Sequence, residues 1–275
     1  AGALVVLLMR MLAEMASAVP SSGAFSTYAE VGIGRWAGFT VGWVYWFMLV
    51  MVLGVEITGA SQIVSGWFPG IPQWVVALVF VTFFAVVNLS GVRRFGEFEF
   101  WFATIKVVAI IGFLVVGALV LTGVIDVGQP VGIQAMLSDG GFAPNGVAGI
   151  AAGLLAVLFA FGGIEIVTIA AAESEDPARS IARAAASVVW RILFFYIGSV
   201  TVMILVMPWS SAELVAGPFV SVLDIAGVPG AGRVMEAVVV IALLSAFNAN
   251  VYGTSRMVFS LSQRGDGPRY FTGVS

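Results

Sequence analysis

Phe159-Ala160-Phe161-Gly162-Gly163-Ile164-Glu165-Ile166-Val167-Thr168-Ile169 lies inside an apolar run from about 147 to 172, long enough to cross a bilayer. Two adjacent glycines sit near the middle of that run, and a carboxylate follows two residues later. Gly-Gly is a poor helix interior, because glycine loses the most backbone entropy on ordering. A glutamate at that depth is costly unless it has a partner or borders a water-filled cavity. Two readings remain open. In one, the helix is interrupted, and its free backbone groups and Glu165 line a site. In the other, the glycines permit close helix packing and Glu165 pairs with a neighbour.

The rest of the chain shows what kind of molecule this run belongs to. Of its 275 residues, 60% are hydrophobic and only 10% charged, and mean hydropathy is +1.07. Soluble domains carry about 25% charged residues. The apolar runs are continuous rather than alternating, so the fold class is an all-α integral membrane protein. A net charge of −3 excludes a basic nucleic-acid surface. There is no Cys, which excludes disulfides, thiolate nucleophiles and Cys-based metal sites. There is no His either, the commonest transition-metal ligand and general base. No cofactor or metal is expected, and no nucleophile–base pair suggests an enzyme.

Seven spans are expected, roughly over 1–18, 39–65, 74–91, 101–122, 147–172, 188–207 and 233–261, in one transmembrane domain covering 1–275. The connections at 19–38, 92–100, 173–187 and 262–275 hold Arg35, Arg93, Arg94, Arg179, Arg183, Arg264 and Arg269. Those at 66–73, 123–146 and 208–232 hold no Lys or Arg. The positive-inside rule therefore places the first set in the cytoplasm, with the first span running inward. A basic n-region is lacking before Ala16-Ser17-Ala18, and Arg10 and Glu14 interrupt the run, so the opening does not read as a signal peptide. It reads as a helix cut at its start, and 271–275 as a cut within a loop.

Trp36, Trp67, Trp74, Trp101, Trp190 and Trp209 fall near span ends, as an aromatic belt requires, while Trp43 and Trp46 lie deeper. Gly149 and Gly153 form a GxxxG pair suited to helix contact. Asp176-Pro177 reads as the start of a short helix, and 221–225 as another within the loop 208–232.

Polar residues inside the spans are the candidates for chemistry. Glu56 lies mid-membrane near Thr58, Ser61 and Gln62. Lys106 stands about two turns into the fourth span. Ser245, Asn248 and Asn250 cluster in the last span, followed by Tyr252, Thr254 and Ser255. Each has a structural alternative. Lys106 can snorkel to the interface. Glu56 can serve as an interhelical acceptor, and the Asn pair can hold helices together. Phe159 and Phe161 are either gates or ordinary lipid-facing or core aromatics. The coincidence of an interrupted helix, intramembrane carboxylates and an intramembrane Lys, without any catalytic or metal signature, favours a functional over a purely structural role.

Several stretches resemble a known family. Met9-Arg10-Met11-Leu12-Ala13-Glu14-Met15, with Pro20 and Phe25-Ser26-Thr27-Tyr28-Ala29, is similar to the second helix of bacterial amino-acid permeases. Gly42-Trp43-Val44-Tyr45-Trp46, the stretch from Phe95 to Ala103, Ile105-Lys106-Val107, the run from Glu165 to Ser174, Trp190-Arg191-Ile192, Thr254-Ser255-Arg256-Met257 and Gly265-Asp266 resemble the same family. Within it, the resemblance is greatest to GABA permeases.

The resemblance implies an amino acid–polyamine–organocation, LeuT-like fold with twelve helices in a five-plus-five inverted repeat. This chain would hold helices two to eight, the first and the last four being absent. It implies a secondary active importer of a small zwitterionic, GABA-like amino acid in the cytoplasmic (inner) membrane, working as a proton symporter. It also implies site roles. Phe159, Phe161, Gly162, Gly163, Glu165, Glu56 and Asn248 would bind or gate the substrate, and Lys106 and Glu165 would couple protons. The expected partners are an amino acid, protons and the lipid bilayer. The rival reading is a membrane amino-acid sensor or scaffold that binds without transport.

Overall fold

The computed structural model describes every residue except 1, 20, 22, 90, 91, 139, 142, 161–178, 181, 182, 184–186, 188, 189 and 273–275. Among the described residues the regular structure is helical. In chain order the helices are α1 (Gly2–Ala18), α2 (Ala24–Gly32), α3 (Arg35–Trp67), α4 (Gln73–Leu89), α5 (Val92–Leu121), α6 (Ile133–Ser138) and α7 (Gly146–Ala160). A π-helical segment, Ile192–Ile197, leads into α8 (Gly198–Val206). Then come α9 (Ala212–Ala216), α10 (Pro218–Ile225), α11 (Ala231–Gln263) and a 3₁₀ turn, Arg269–Thr272.

Three helices are long and apolar enough to cross a membrane: Arg35–Trp67, Glu99–Leu121 and Ala231–Gln263. Gln73–Leu89, Gly146–Val157 and Phe194–Val206 are shorter apolar helices. At 1.5 Å rise per residue, the 33-residue α3 is about 50 Å long, well beyond a hydrocarbon core of about 30 Å.

Three expectations about elements need correction. The connection at 92–100 is not a loop; it is the first part of α5, so Lys106 lies near the middle of that helix. The segment Val92-Arg93-Arg94-Phe95-Gly96-Glu97-Phe98-Glu99 lacks the apolar continuity of a span, but it is continuous with the helix that follows and has no Pro to stop it, and its two Arg and two Glu are good helix formers, so the helix runs on despite Gly96. The connection at 19–38 contains the nine-residue α2. The span at 188–207 is not a uniform α-helix, since Ile192–Ile197 adopts the wider π turn. The short helix expected at 221–225 is present as the end of α10. Asp176-Pro177 lies outside the described residues, and Arg179 and Arg183 are helical.

The chain divides into two compact units. One comprises Gly2–Phe100 and Leu243–Ser275; the other comprises Trp101–Ala160 and Trp190–Ala242. In the second unit, Phe113, Val120, Val202, Val206, Met207, Val222, Leu223, Ala231 and Met235 form a buried apolar core. Phe113 meets Phe219 edge-on at 4.9 Å between centroids. Gly117 admits the side chain of Val202 where any Cβ would collide with it. Gln129 closes the cluster by donating to the Val206 carbonyl at 3.2 Å. Of the GxxxG pair, Gly153 is exposed, and among the described residues outside its own helix nothing lies within 4 Å of a Cβ built there.

In the first unit, α3 and α11 run antiparallel. Arg35 meets Asp266, Gly42 meets Leu261, Glu56 meets Asn250 and Gly59 meets Leu243, so numbers rise on one helix as they fall on the other. Gly42 makes the close approach possible, because a Cβ there would fall 2.6 Å from Leu261 Cδ2 and 2.7 Å from Ser26 Oγ. Between α2 and α3, Gly34 adopts φ +133°, a conformation that side-chain-bearing residues rarely reach.

Candidate functional site

The first unit holds the candidate site, and its polar groups come in pairs. Glu56, on α3, is 8% exposed, and Asn250 Nδ2 on α11 donates to both of its carboxylate oxygens at 3.0 Å. Asn250 is itself only 6% exposed. No cation lies in ion-pair range of Glu56 among the described residues. A carboxylate buried against a neutral amide inside the bilayer is energetically expensive, and such groups are functional candidates by default.

Half a turn away on α11, a second set of pairs faces α4 and the first turns of α5. Ser245 Oγ donates to Glu99 at 2.9 and 3.0 Å. Asn88 Nδ2, on α4, donates to the Phe84 carbonyl at 3.0 Å and to Asn248 Oδ1 at 2.9 Å. Asn248 is fully buried, and its Nδ2 has no acceptor among the described residues. Phe84, almost fully buried, packs on Phe247 at 5.9 Å and closes this region with hydrocarbon.

Polar ties also mark both ends of α3. At its C-terminal end, Gln73 Nε2 on α4 donates to the Thr58 carbonyl at 3.1 Å and to Ser61 Oγ at 3.2 Å. At its N-terminal end, Arg35 donates through Nε and Nη2 to Asp266 Oδ1, and the Trp43 indole donates to the Asp266 carbonyl at 3.0 Å. Trp43 also meets Trp46 edge-on at 5.5 Å. Arg264, at the end of α11, pairs with Glu30 and donates to Ser26 Oγ, which in turn donates to the Gly38 carbonyl at 2.8 Å. These contacts lock the α2–α3 corner onto the end of α11. Tyr28 at the same corner donates to the Val19 carbonyl at 3.1 Å, and burial pushes its phenol up from the ordinary range.

The residues singled out from sequence fare unevenly. Glu56 and Asn248 are placed as described, each with an amide partner. Lys106 is half-buried on α5 in the second unit. Phe159 belongs to α7, while Phe161, Gly162, Gly163 and Glu165 lie outside the described residues. Sequence reasoning missed two participants, Asn88 and Glu99. Asn88 carried a usable signal, as the one strongly polar side chain in the apolar stretch 74–89, next to its end. Glu99 was hidden because 92–100 read as a loop.

An amino acid permease family model matches residues 1–275. The chain belongs to the amino acid permease family. It is 55% identical over 279 residues to the aromatic amino acid transport protein AroP of Corynebacterium glutamicum, covering 100% of this chain and 60% of that protein. It is 45% identical over 275 residues to the gamma-aminobutyric acid permease of Bacillus subtilis, covering 100% of this chain and 59% of the relative. The gamma-aminobutyric acid permease of Escherichia coli K12 is 46% identical over 269 residues, which cover 98% of this chain and 58% of that permease. The chain therefore spans about three-fifths of the length of these curated relatives. Family membership and the apolar helices together make this a membrane protein.

Proposed function

We propose that the intact permease is a secondary active importer of a zwitterionic amino acid, driven by protons across the cytoplasmic membrane. The observation that carries this reading is Glu56. It is a buried intramembrane carboxylate whose one hydrogen-bonding partner among the described residues is the Asn250 amide, in a chain matched over its whole length by the amino acid permease family. A site built from amides and single carboxylates suits a substrate with one positive and one negative end. It does not suit a dibasic substrate, which calls for an acidic cluster. A short, GABA-like amino acid fits this chemistry. The 55% identity to an aromatic amino acid transporter favours a second substrate reading, in which the zwitterion carries a ring. Competition against labelled GABA and labelled phenylalanine in cells expressing the intact permease decides between them. Stronger competition by lysine or arginine than by either would overturn the zwitterion reading.

In this reading Phe159, Phe161, Gly162, Gly163 and Glu165 form the gate and the helix break, and Lys106 carries the coupling proton. Protonation would then select between two conformations. Lys106→Ala should abolish uphill, pH-driven uptake while the protein still inserts. Sodium-dependent, pH-independent uptake by the unmodified permease, or normal accumulation by the variant, rejects proton coupling through Lys106.

A further inference from the structure

Helix α2 is turned inside out for a helix that faces water. Its polar side chains are spent on the protein. Ser26 is fully buried and donates to the Gly38 carbonyl, Thr27 and Tyr28 bond back to Ser21 and Val19, and Glu30 pairs with Arg264 at the end of α11. The apolar residues that follow point outward. Val31 is 74% exposed, Ile33 68% and Trp36, in the first turn of α3, 71%. Exposed apolar residues scattered singly are ordinary, but a contiguous set marks a surface that meets something other than water. The set is held out rather than frayed. The Ser26 and Glu30 contacts fix the rotation of α2, and Gly38 lets α3 close against it, since a Cβ there would lie 2.6 Å from Glu30 Cβ.

The length of α3 decides what covers this corner. Trp36 and Trp67, near its two ends, are about 46 Å apart along the axis at 1.5 Å per residue. A bilayer with both headgroup layers is roughly 40–45 Å thick, and Trp favours those layers. Trp36 also begins an exposed apolar stripe on one side of α3 that continues through Val44, Phe47, Met51 and Val55. The corner is therefore the end of a surface that lies at membrane depth. Arg35 beside it donates to Asp266 yet keeps its side chain 69% exposed, which sets a positive charge where lipid phosphates lie.

We propose that Val31, Ile33 and Trp36 form an interfacial foot that seats in the headgroup layer, with phospholipid as its partner and Arg35 at the level of the phosphates. Because α2 is tied to α3 and to the end of α11, the seated foot sets the depth of both long helices at this end of the membrane. The inference rests on membrane insertion and holds whatever the permease carries.

The test measures depth. Val31→Cys and Ile33→Cys, each in the intact permease with any other cysteine replaced by serine, carry one nitroxide per molecule. The protein is reconstituted in liposomes of phosphatidylethanolamine and phosphatidylglycerol. Both positions are exposed, and a monodisperse elution profile before reconstitution shows that each variant folds. Oxygen concentrates in the acyl region and a water-soluble nickel complex stays outside it. The ratio of oxygen to nickel relaxation at both positions should exceed that of a headgroup-labelled lipid. Relaxation mainly by nickel at either position puts the corner in water. Poor access to both reagents puts it under another part of the permease. Either result overturns the proposal.

Discussion

At the scale of single residues, energetics centre on side chains taken out of water with few partners. Asn250 supplies both hydrogen bonds to the Glu56 carboxylate. Removing it takes away the donor that Glu56 has among the described residues and leaves a buried acidic group unsatisfied, so Asn250→Ala should destabilise the first unit by about 1–3 kcal/mol. Replacing both partners with apolar residues, as Glu56→Leu with Asn250→Leu, should be close to neutral for stability, because no orphaned group remains. Reversible unfolding in detergent measures both. A double variant as unstable as Asn250→Ala would show that the carboxylate has another structural partner. The Arg35–Asp266 pair is a weaker stabiliser. The Arg35 side chain is 69% exposed, although that of Asp266 is only 5% exposed, so solvent screens much of the attraction.

At the scale of elements, the antiparallel α3–α11 pair depends on the missing side chain of Gly42. Gly42→Ala would force Leu261 and Ser26 apart, and Ser26 is committed to the Gly38 carbonyl and to Arg264. Overpacking of this kind costs about 1–3 kcal/mol and should appear as a lower unfolding midpoint. Gly54→Ala, with nothing within 4 Å of the added methyl, is the matched control and should leave that midpoint unchanged or raise it. The helices themselves were legible in the sequence, because continuous apolar runs mark spans whatever they pack against. Their ends were less so. Val92 to Glu99 is polar enough to leave the membrane yet has no Pro to stop the helix and stays in α5, and hydropathy reads only the first property. Side-chain pairings were not legible. Glu56 stands out by its charge, but Asn250 is 194 residues away, and no local pattern joins them. Asn88 was legible as an oddity in α4 without any hint of its role.

At the scale of the whole molecule, charge asymmetry between connections sets the topology. The segment 123–146 has no Lys or Arg, whereas 173–187 carries Arg179 and Arg183. Single cysteines in this Cys-free chain report sidedness directly. In intact cells an impermeant thiol reagent should label position 130 and spare position 179; the reverse pattern inverts the orientation. The pairing of α3 with α11 also sets a timetable. Ribosomes add about 5–20 residues per second, so the 194 residues between Glu56 and Asn250 separate their synthesis by about 10–40 seconds. Throughout that interval the nascent chain holds an acidic side chain bound for the bilayer whose partner has not yet been made. Biogenesis must therefore shelter it, by keeping it protonated, by holding α3 near the insertion machinery, or by lending it another donor until α11 arrives. Quality control would meet this protein first as an unpaired glutamate.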